Sequence, residues 1–275
     1  MDKNTTQGKW TAPRIRALKG KQKIAMVTAG DFTTARLIDD AGIPCILVGD
    51  SLGMTMLGYE STIPVTLAEI LHHTATVVRG ARRALVITDL PFMTYQASIE
   101  QALRSAGRAL KKAGADAVKI EGGAVRGPTI EALVANGIPV LGHIGILPQS
   151  VKASGGYKVQ GKTQEDAARL LDDARAVAAA GAFAVVLEGM PPDVAAEITK
   201  AIEIPTIGIG AGPGCDGQVL VVHDLLGLTL GHVPKFAKQY AHLGEAMARA
   251  FSDYRAEVES GAFPSDEFSY RSRPS

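Results

Sequence analysis

The chain has 275 residues, of which 46% are hydrophobic and 21% charged, and its formal net charge is +1. That supplies a sizeable core for one or two globular domains, and with no basic block it argues against nucleic acid or an anionic membrane surface as a partner. Cys45 and Cys215 are too few for a disulfide framework, no apolar run approaches the roughly 18 residues of a membrane span, and Met1-Asp2-Lys3-Asn4 lacks the apolar core of a signal peptide. A reduced, cytoplasmic chain is the expectation.

Residues 1–12 are polar and expected to be loose, and Arg14 to Gly20 predicts a short helix capping one end of the domain. The first strand is Ile24 to Thr28, followed by Ala29-Gly30-Asp31 and a helix near 32–41. Cys45 to Val48 is the second strand and runs into Gly49-Asp50-Ser51-Leu52-Gly53; a long loop reaches Pro64. Thr66 with Glu69 makes a capping-box pair that opens a helix near 66–80. Leu85 to Thr88 is the third strand, ending in Asp89-Leu90-Pro91-Phe92, and Ser98 with Gln101 opens a helix that stops at Gly114.

The fourth strand is Ala117-Val118-Lys119-Ile120-Glu121, closed by Gly122-Gly123, and a helix near 128–136 follows. Pro139 to His143 is the fifth strand, before a long loop carrying Pro148-Gln149-Ser150 and Gly155-Gly156-Tyr157-Lys158-Val159-Gln160-Gly161. Thr163 with Asp166 caps an alanine-rich helix ending at Gly181, and Ala184 to Leu187 is the sixth strand, followed by Glu188-Gly189. Pro191-Pro192 opens a helix near 193–201; Thr206 to Ile209 and Gln218 to Val222 are the last two strands. A final helix near 237–258 precedes a tail over 260–275.

The units repeat one grammar. Ala41-Gly42, Ala113-Gly114, Asn136-Gly137 and Ala180-Gly181 each lead into a short apolar run, which ends at Asp50, Glu121, His143 and Glu188 respectively. Eight strands alternating with helices predict a closed parallel (β/α)₈ barrel, a TIM barrel in a single domain. The alternative, an open doubly wound sheet, lacks its first-loop G-x-G-x-x-G fingerprint.

Closure brings the strand C-termini to one face, where Asp50, Asp89, Glu121, His143 and Glu188 converge with Lys119 just below the rim. Lys119 and Glu121 point to one side of their strand, Val118 and Ile120 to the other. A buried lysine and carboxylate must meet each other, a metal or a ligand. Several carboxylates at one mouth repel one another, and an all-oxygen donor set suits Mg²⁺ better than Zn²⁺. Competing structural roles are an ion pair at a strand end, helix caps for individual carboxylates, and a core histidine for His143. Gly208-Ile209-Gly210-Ala211-Gly212 allows close approach of backbone to a ligand or, equally, tight packing, and Lys158 is a solvated or lid residue.

Val48-Gly49-Asp50-Ser51-Leu52-Gly53, Asp89-Leu90-Pro91-Phe92, Val118 to Gly123 and Gly155 to Gly161 closely resemble the ketopantoate (3-methyl-2-oxobutanoate) hydroxymethyltransferase family. So do Gly208 to Gly212, Asp216-Gly217-Gln218 and His232-Val233-Pro234-Lys235-Phe236, and the resemblance covers about residues 14–262. It implies a Mg²⁺-dependent (β/α)₈ barrel of the phosphoenolpyruvate mutase/isocitrate lyase superfamily, assembled as a homodecamer. The implied reaction moves a one-carbon unit from 5,10-methylenetetrahydrofolate to the 2-oxoacid 3-methyl-2-oxobutanoate, giving 2-dehydropantoate. By resemblance, Asp50, Asp89 and Glu121 form the metal site, with Glu121 reaching it through water. Asp50, Ser51, Asp89 and Lys119 hold the oxoacid, Glu188 is the general base, and His143 stands behind them. The one departure is Gly30, where the family often has tyrosine; it removes a bulky polar group and predicts extra room beside the substrate. The alternatives are a Mg²⁺-dependent lyase or mutase of the same superfamily acting on another 2-oxoacid, and an inactive metal-binding scaffold.

Overall fold

A computed structural model describes residues 8–271. Eight parallel strands close into a barrel in sequence order: β1 (Ile24–Thr28), β2 (Cys45–Val48), β3 (Leu85–Asp89), β4 (Ala117–Glu121), β5 (Val140–Gly145), β6 (Ala184–Glu188), β7 (Thr206–Ile209) and β8 (Gly217–Leu220). The helices, in chain order, are α1 (Ala12–Arg16), α2 (Phe32–Asp40), α3 (Leu52–Thr55), α4 (Leu67–Gly80), α5 (Ile99–Arg108), α6 (Gly127–Ala135), α7 (Val151–Ser154), α8 (Gln164–Ala179), α9 (Pro192–Ala201), α10 (Val222–Leu226) and α11 (Leu243–Ser260). Two compact units result, one up to Val222 and one from His223 onward.

In the first unit every strand is largely buried on both faces, which is why the strands read as near-continuous apolar runs. Side chains pointing inward, among them Met26, Leu47, Ile87, Leu141, Val186 and Ile207, fill the barrel. Outward-pointing Val118, Ile120, Val140, Val185 and Leu187 pack under the helices with Ile130, Leu133, Val177 and Ile198. Ala12 and Ile15 of α1, with Trp10 and Leu18 beside them, join the inner cluster, so α1 caps the barrel, though it spans Ala12–Arg16 rather than Arg14 to Gly20.

The helix starts follow the capping chemistry. Thr66 and Glu69 make both bonds of the capping box. Ser98 accepts from the amide of Gln101, and Thr163 from that of Asp166. Asp31 caps α2 through the Thr34 amide at 2.9 Å, a cap the sequence reading did not assign. At the other end of α5, a wider π turn over Ala109–Ala113 precedes Gly114, whose φ is 79°.

Five expectations change. Residues 1–7 and 272–275 lie outside the described residues, but Trp10, placed in the loose N-terminus, donates its amide to Arg83 O at 2.6 Å. The loops after β2 and β5 hold the short helices α3 and α7. β8 ends at Leu220, because the Val222 amide turns to Thr28 Oγ1 at 2.9 Å and α10 begins. In the second unit α11 starts at Leu243 rather than near 237, since the Tyr240 amide is drawn back to Leu225 O at 2.8 Å. The expected tail carries Phe263, whose ring meets Tyr254 and Phe268, each at 5.7 Å between centroids.

Asp216, just before β8, ties together the N-terminal end of the barrel. Its Oδ2 accepts from Lys19 Nζ at 2.7 Å and from the Thr206 amide at 2.9 Å, and its Oδ1 takes the Gly20 amide. Burial alone would raise its pKa; Lys19 and the backbone donors outweigh that and hold it below the usual carboxylate range. A depressed carboxylate stabilises the fold above its unfolded pKa, and that contribution is lost as pH falls through the folded value. Asp216→Asn is therefore expected to cost about 1–3 kcal/mol at neutral pH. The gap to the parent should narrow below about pH 3.9. Denaturant melts at a series of pH values check this, and a pH-independent gap would refute it.

Candidate active site

Six polar side chains meet where β2 to β6 end. The β3–β4 register sets Asp89 opposite Lys119, and β4–β5 sets Glu121 opposite His143. Lys119 Nζ lies 2.6 Å from Asp89 Oδ2 and 3.8 Å from Glu121 Oε1. Glu121 Oε1 is 3.6 Å from His143 Nδ1, and His143 Nε2 is 3.1 Å from Glu188 Oε2. Asp50, immediately after β2, reaches the same group: its amide faces Asp89 Oδ2 at 3.4 Å and its Oδ2 accepts from Gln149 Nε2 at 3.0 Å. Ser51 is half-buried at the head of α3. The structure thus brings Asp50, Asp89, Lys119, Glu121, His143 and Glu188 together.

Burial separates their roles. Asp50, Asp89, Lys119, Glu121 and His143 are buried, whereas the Glu188 side chain is 19% exposed, so Glu188 stands at the open side of the cluster. None of the four carboxylates caps the long helix after its own strand; those N-cap positions belong to Ser98, Arg126 and Pro191 for the helices after β3, β4 and β6. That removes the helix-cap explanation. His143 is not held by a backbone carbonyl: it sits between two carboxylates, with neither ring nitrogen in a well-aligned hydrogen bond.

The electrostatics follow from crowding. Burial, with Asp89 next, pushes the Asp50 carboxyl well above the usual range. Burial and Lys119 oppose a charge on His143, yet Glu121 and Glu188 prevail and push its pKa up to about 9. Burial would raise Glu121, but His143, Lys119 and the Gln149 amide bring it down. Lys119 is held charged: burial works against it, and Asp89, Glu121 and Asp50 more than compensate.

The donor set fits a hard divalent cation. Asp89 Oδ1 and Glu121 Oε1 are buried with no hydrogen-bond donor, an arrangement that costs free energy unless a cation or bound ligand satisfies them. Among the described residues, however, no three or more His, Cys, Asp or Glu side chains are arranged to hold a metal ion by themselves. Glu121 Oε2 accepts from the Gln149 amide at 3.0 Å. Asp50, Asp89 and Glu121 each have one carboxylate oxygen outside these bonds, the other being given to Gln149, Lys119 and Gln149 respectively.

Gly30 does not leave room beside a substrate. A Cβ at that position would lie 2.3 Å from Met56 Sδ, so Met56 fills the space that a side chain would take. Its carbonyl accepts from His73 Nδ1 at 2.6 Å. Gly208 within β7 and Gly212 after it serve packing: a Cβ on Gly208 would meet Cys215 Sγ at 2.9 Å, and one on Gly212 would meet Pro192 at 2.5 Å. Lys158 is exposed. Three residues that pattern analysis passed over belong to the site. Gln149 and Tyr95 are buried within it, and the exposed Tyr157 is near enough to feel its charge, its phenol pKa raised by partial burial and then by Asp50, Glu188 and Glu121. Only the Gly155–Gly161 motif hinted at any of them.

The ketopantoate hydroxymethyltransferase family profile matches residues 9–266. The chain is 55% identical over 260 residues to 3-methyl-2-oxobutanoate hydroxymethyltransferase of Syntrophobacter fumaroxidans, covering 94% of this chain and 92% of that one. It is 53% identical over 262 residues to the protein of the same name from Moorella thermoacetica, covering 95% and 97%. Among solved structures, phosphoenolpyruvate phosphomutase from Streptomyces platensis subsp. rosaceus superposes with a TM-score of 0.59 at 18% identity, over 91% of this chain and 88% of that one. A 2,3-dimethylmalate lyase, a PEP mutase/isocitrate lyase superfamily member, does so with a TM-score of 0.58 at 18% identity, over 93% and 90%; at such identity the two share the barrel fold. With the profile spanning nearly the whole chain and relatives more than half identical along it, this protein belongs to the ketopantoate hydroxymethyltransferase family.

Proposed function

We propose that the chain is a 3-methyl-2-oxobutanoate hydroxymethyltransferase acting in pantothenate biosynthesis. It takes a one-carbon unit from 5,10-methylenetetrahydrofolate and gives 2-dehydropantoate, with one water supplying the hydroxyl oxygen. The observation that carries this beyond family membership is the single cluster of Asp50, Asp89, Lys119, Glu121, His143 and Glu188 at the strand ends. Mg²⁺ held by Asp50 and Asp89, with Glu121 reaching it through water, would supply Lewis-acid polarisation of the keto oxygen. Lys119, fixed by Asp89, offsets negative charge on the oxoacid as its C3 proton leaves. Glu188, which lies 3.1 Å from His143 Nε2, accepts that proton. The C3 carbon then bonds to the one-carbon unit carried by the folate, both bonds from that unit to folate N5 and N10 break, and water adds its oxygen to the same carbon; the C3 proton and one proton of the water end on the two nitrogens.

Ser51 completes the oxoacid site in this reading. A homodecamer and a cytoplasmic location belong to it as well, supported by family membership and by two free cysteines; among the described residues no helix is long and apolar enough to cross a membrane. The test is product formation from 3-methyl-2-oxobutanoate with Mg²⁺, with and without 5,10-methylenetetrahydrofolate. Folate-dependent 2-dehydropantoate is the expected result. Turnover of another 2-oxoacid without folate would replace this reading by a lyase or mutase, and no turnover of either kind would leave a scaffold.

A further inference from the structure

Gln149 makes more bonds inside the site than any single carboxylate there. Its Nε2 donates to Asp50 Oδ2 at 3.0 Å and to Leu90 O at 2.9 Å. Its Oε1 accepts from Tyr95 Oη at 2.8 Å and from Gln96 Nε2 at 3.0 Å. Its backbone amide donates to Glu121 Oε2 at 3.0 Å. Both donors and both acceptor positions of the side-chain amide are used, which a buried glutamine needs and seldom achieves. The amide cannot turn over: a flip would set its oxygen against the Asp50 carboxylate and the Leu90 carbonyl. Tyr95 Oη in turn accepts from the Glu121 amide at 3.0 Å, closing the network. The partners come from the ends of β2, β3 and β4, and Gln149 itself follows β5.

We propose that Gln149 is a positioning residue of the reaction, its two amide groups fixing which oxygens of Asp50 and Glu121 face the centre of the mouth. A carboxylate free to rotate offers either oxygen. Gln149 takes Oδ2 of Asp50 and Oε2 of Glu121, and so directs Oδ1 and Oε1 inward. The residue type follows. Glutamate would set another carboxylate against Asp50, asparagine is one methylene too short for this reach, and methionine fills the volume without a bond. The inference rests on the proposed metal-assisted function and concerns its geometry.

The test uses the full-length protein and Mn²⁺ as the probe, with free Mn²⁺ read by electron paramagnetic resonance and no substrate present. Gln149→Met is expected to weaken Mn²⁺ binding by about tenfold or more, as loss of a partner behind a metal ligand does. Tyr95→Phe removes one bond from the amide oxygen and should weaken it by about two- to fivefold. In the double variant the Tyr95→Phe effect should shrink to what its bond from the Glu121 amide contributes, because the bond it makes to Gln149 is gone. A lower Tm with parental Mn²⁺ affinity marks a merely structural brace and overturns the proposal, as do additive effects. Should Gln149→Met fail to fold, Tyr95→Phe decides alone, parental affinity counting against. A parent protein that binds no Mn²⁺ defeats the metal reading itself, a result distinct from an unaffected variant.

Discussion

Glu188→Gln should slow exchange of the C3 hydrogen of 3-methyl-2-oxobutanoate with deuterated water by about 10²-fold or more, with oxoacid binding largely kept. Exchange isolates proton removal, because it needs no bond to the one-carbon unit. The geometry singles out Glu188. Asp89 is tied to Lys119 at 2.6 Å, Glu121 to the Gln149 amide at 3.0 Å, and Asp50 to Gln149 Nε2 at 3.0 Å. Glu188 faces His143 Nε2 at 3.1 Å and is the carboxylate with an open side. Glutamine keeps the size and can still meet His143, so the loss reports the missing base rather than a collapsed pocket. Exchange followed by proton NMR, and product formation beside it, should fall together. Parental exchange in this variant would mean that another group removes the proton. If folate must bind to complete the site, the parent exchanges only with tetrahydrofolate present, and the comparison is made under that condition.

The second large effect separates two carboxylates that are both proposed to hold the metal. Asp50→Ala and Asp89→Ala should each weaken Mg²⁺ binding by more than about 10²-fold, since loss of a partner one step removed already costs about 10- to 100-fold. Their stabilities should part. Asp89 is the close partner of buried Lys119, with Glu121 next at 3.8 Å, so Asp89→Ala leaves an ammonium poorly compensated. Breaking a buried pair in this way costs about 3–5 kcal/mol. Asp50 has no cation within bonding distance; burial and the neighbouring Asp89 already push its carboxyl toward the protonated form. Asp50→Ala relieves that repulsion but loses the bond from Gln149 Nε2, so metal-free Asp50→Ala should be destabilised by clearly less than Asp89→Ala. Denaturant melts without metal, paired with Mg²⁺ titration by calorimetry, read both quantities. Equal destabilisation by the two substitutions would contradict the pairing, and unchanged Mg²⁺ affinity in both would reject the ligand assignment.

These effects also show where sequence reading stops. The barrel was legible because its signals are local. Apolar runs of four or five residues, helix-stopping glycines such as Gly114 and Gly181, and the caps at Thr66, Ser98 and Thr163 act over a few positions, and they place β1, β2, β4 and β7 at their observed bounds. The chemistry-bearing ends of the strands were legible for the same reason. Once parallel strands close, a polar residue at the end of each run must arrive at one face, so Asp50, Asp89, Lys119, Glu121, His143 and Glu188 could be named without coordinates.

Which of them touches which was decided only by tertiary structure. Lys119 meets Asp89 because the β3–β4 register places them side by side, and His143 joins Glu121 to Glu188 because β5 lies between β4 and β6. Met56 fills the space at Gly30 across the loop after β2. Gln149 has no periodicity and no charge to mark it; its five bonds reach residues 28 to 99 positions away, to Glu121, Tyr95, Gln96, Leu90 and Asp50. Helix and strand patterns record the forces between near neighbours in the chain. Hydrogen bonds made by a loop side chain depend on where closure of the whole barrel carries its partners, and no local pattern encodes that.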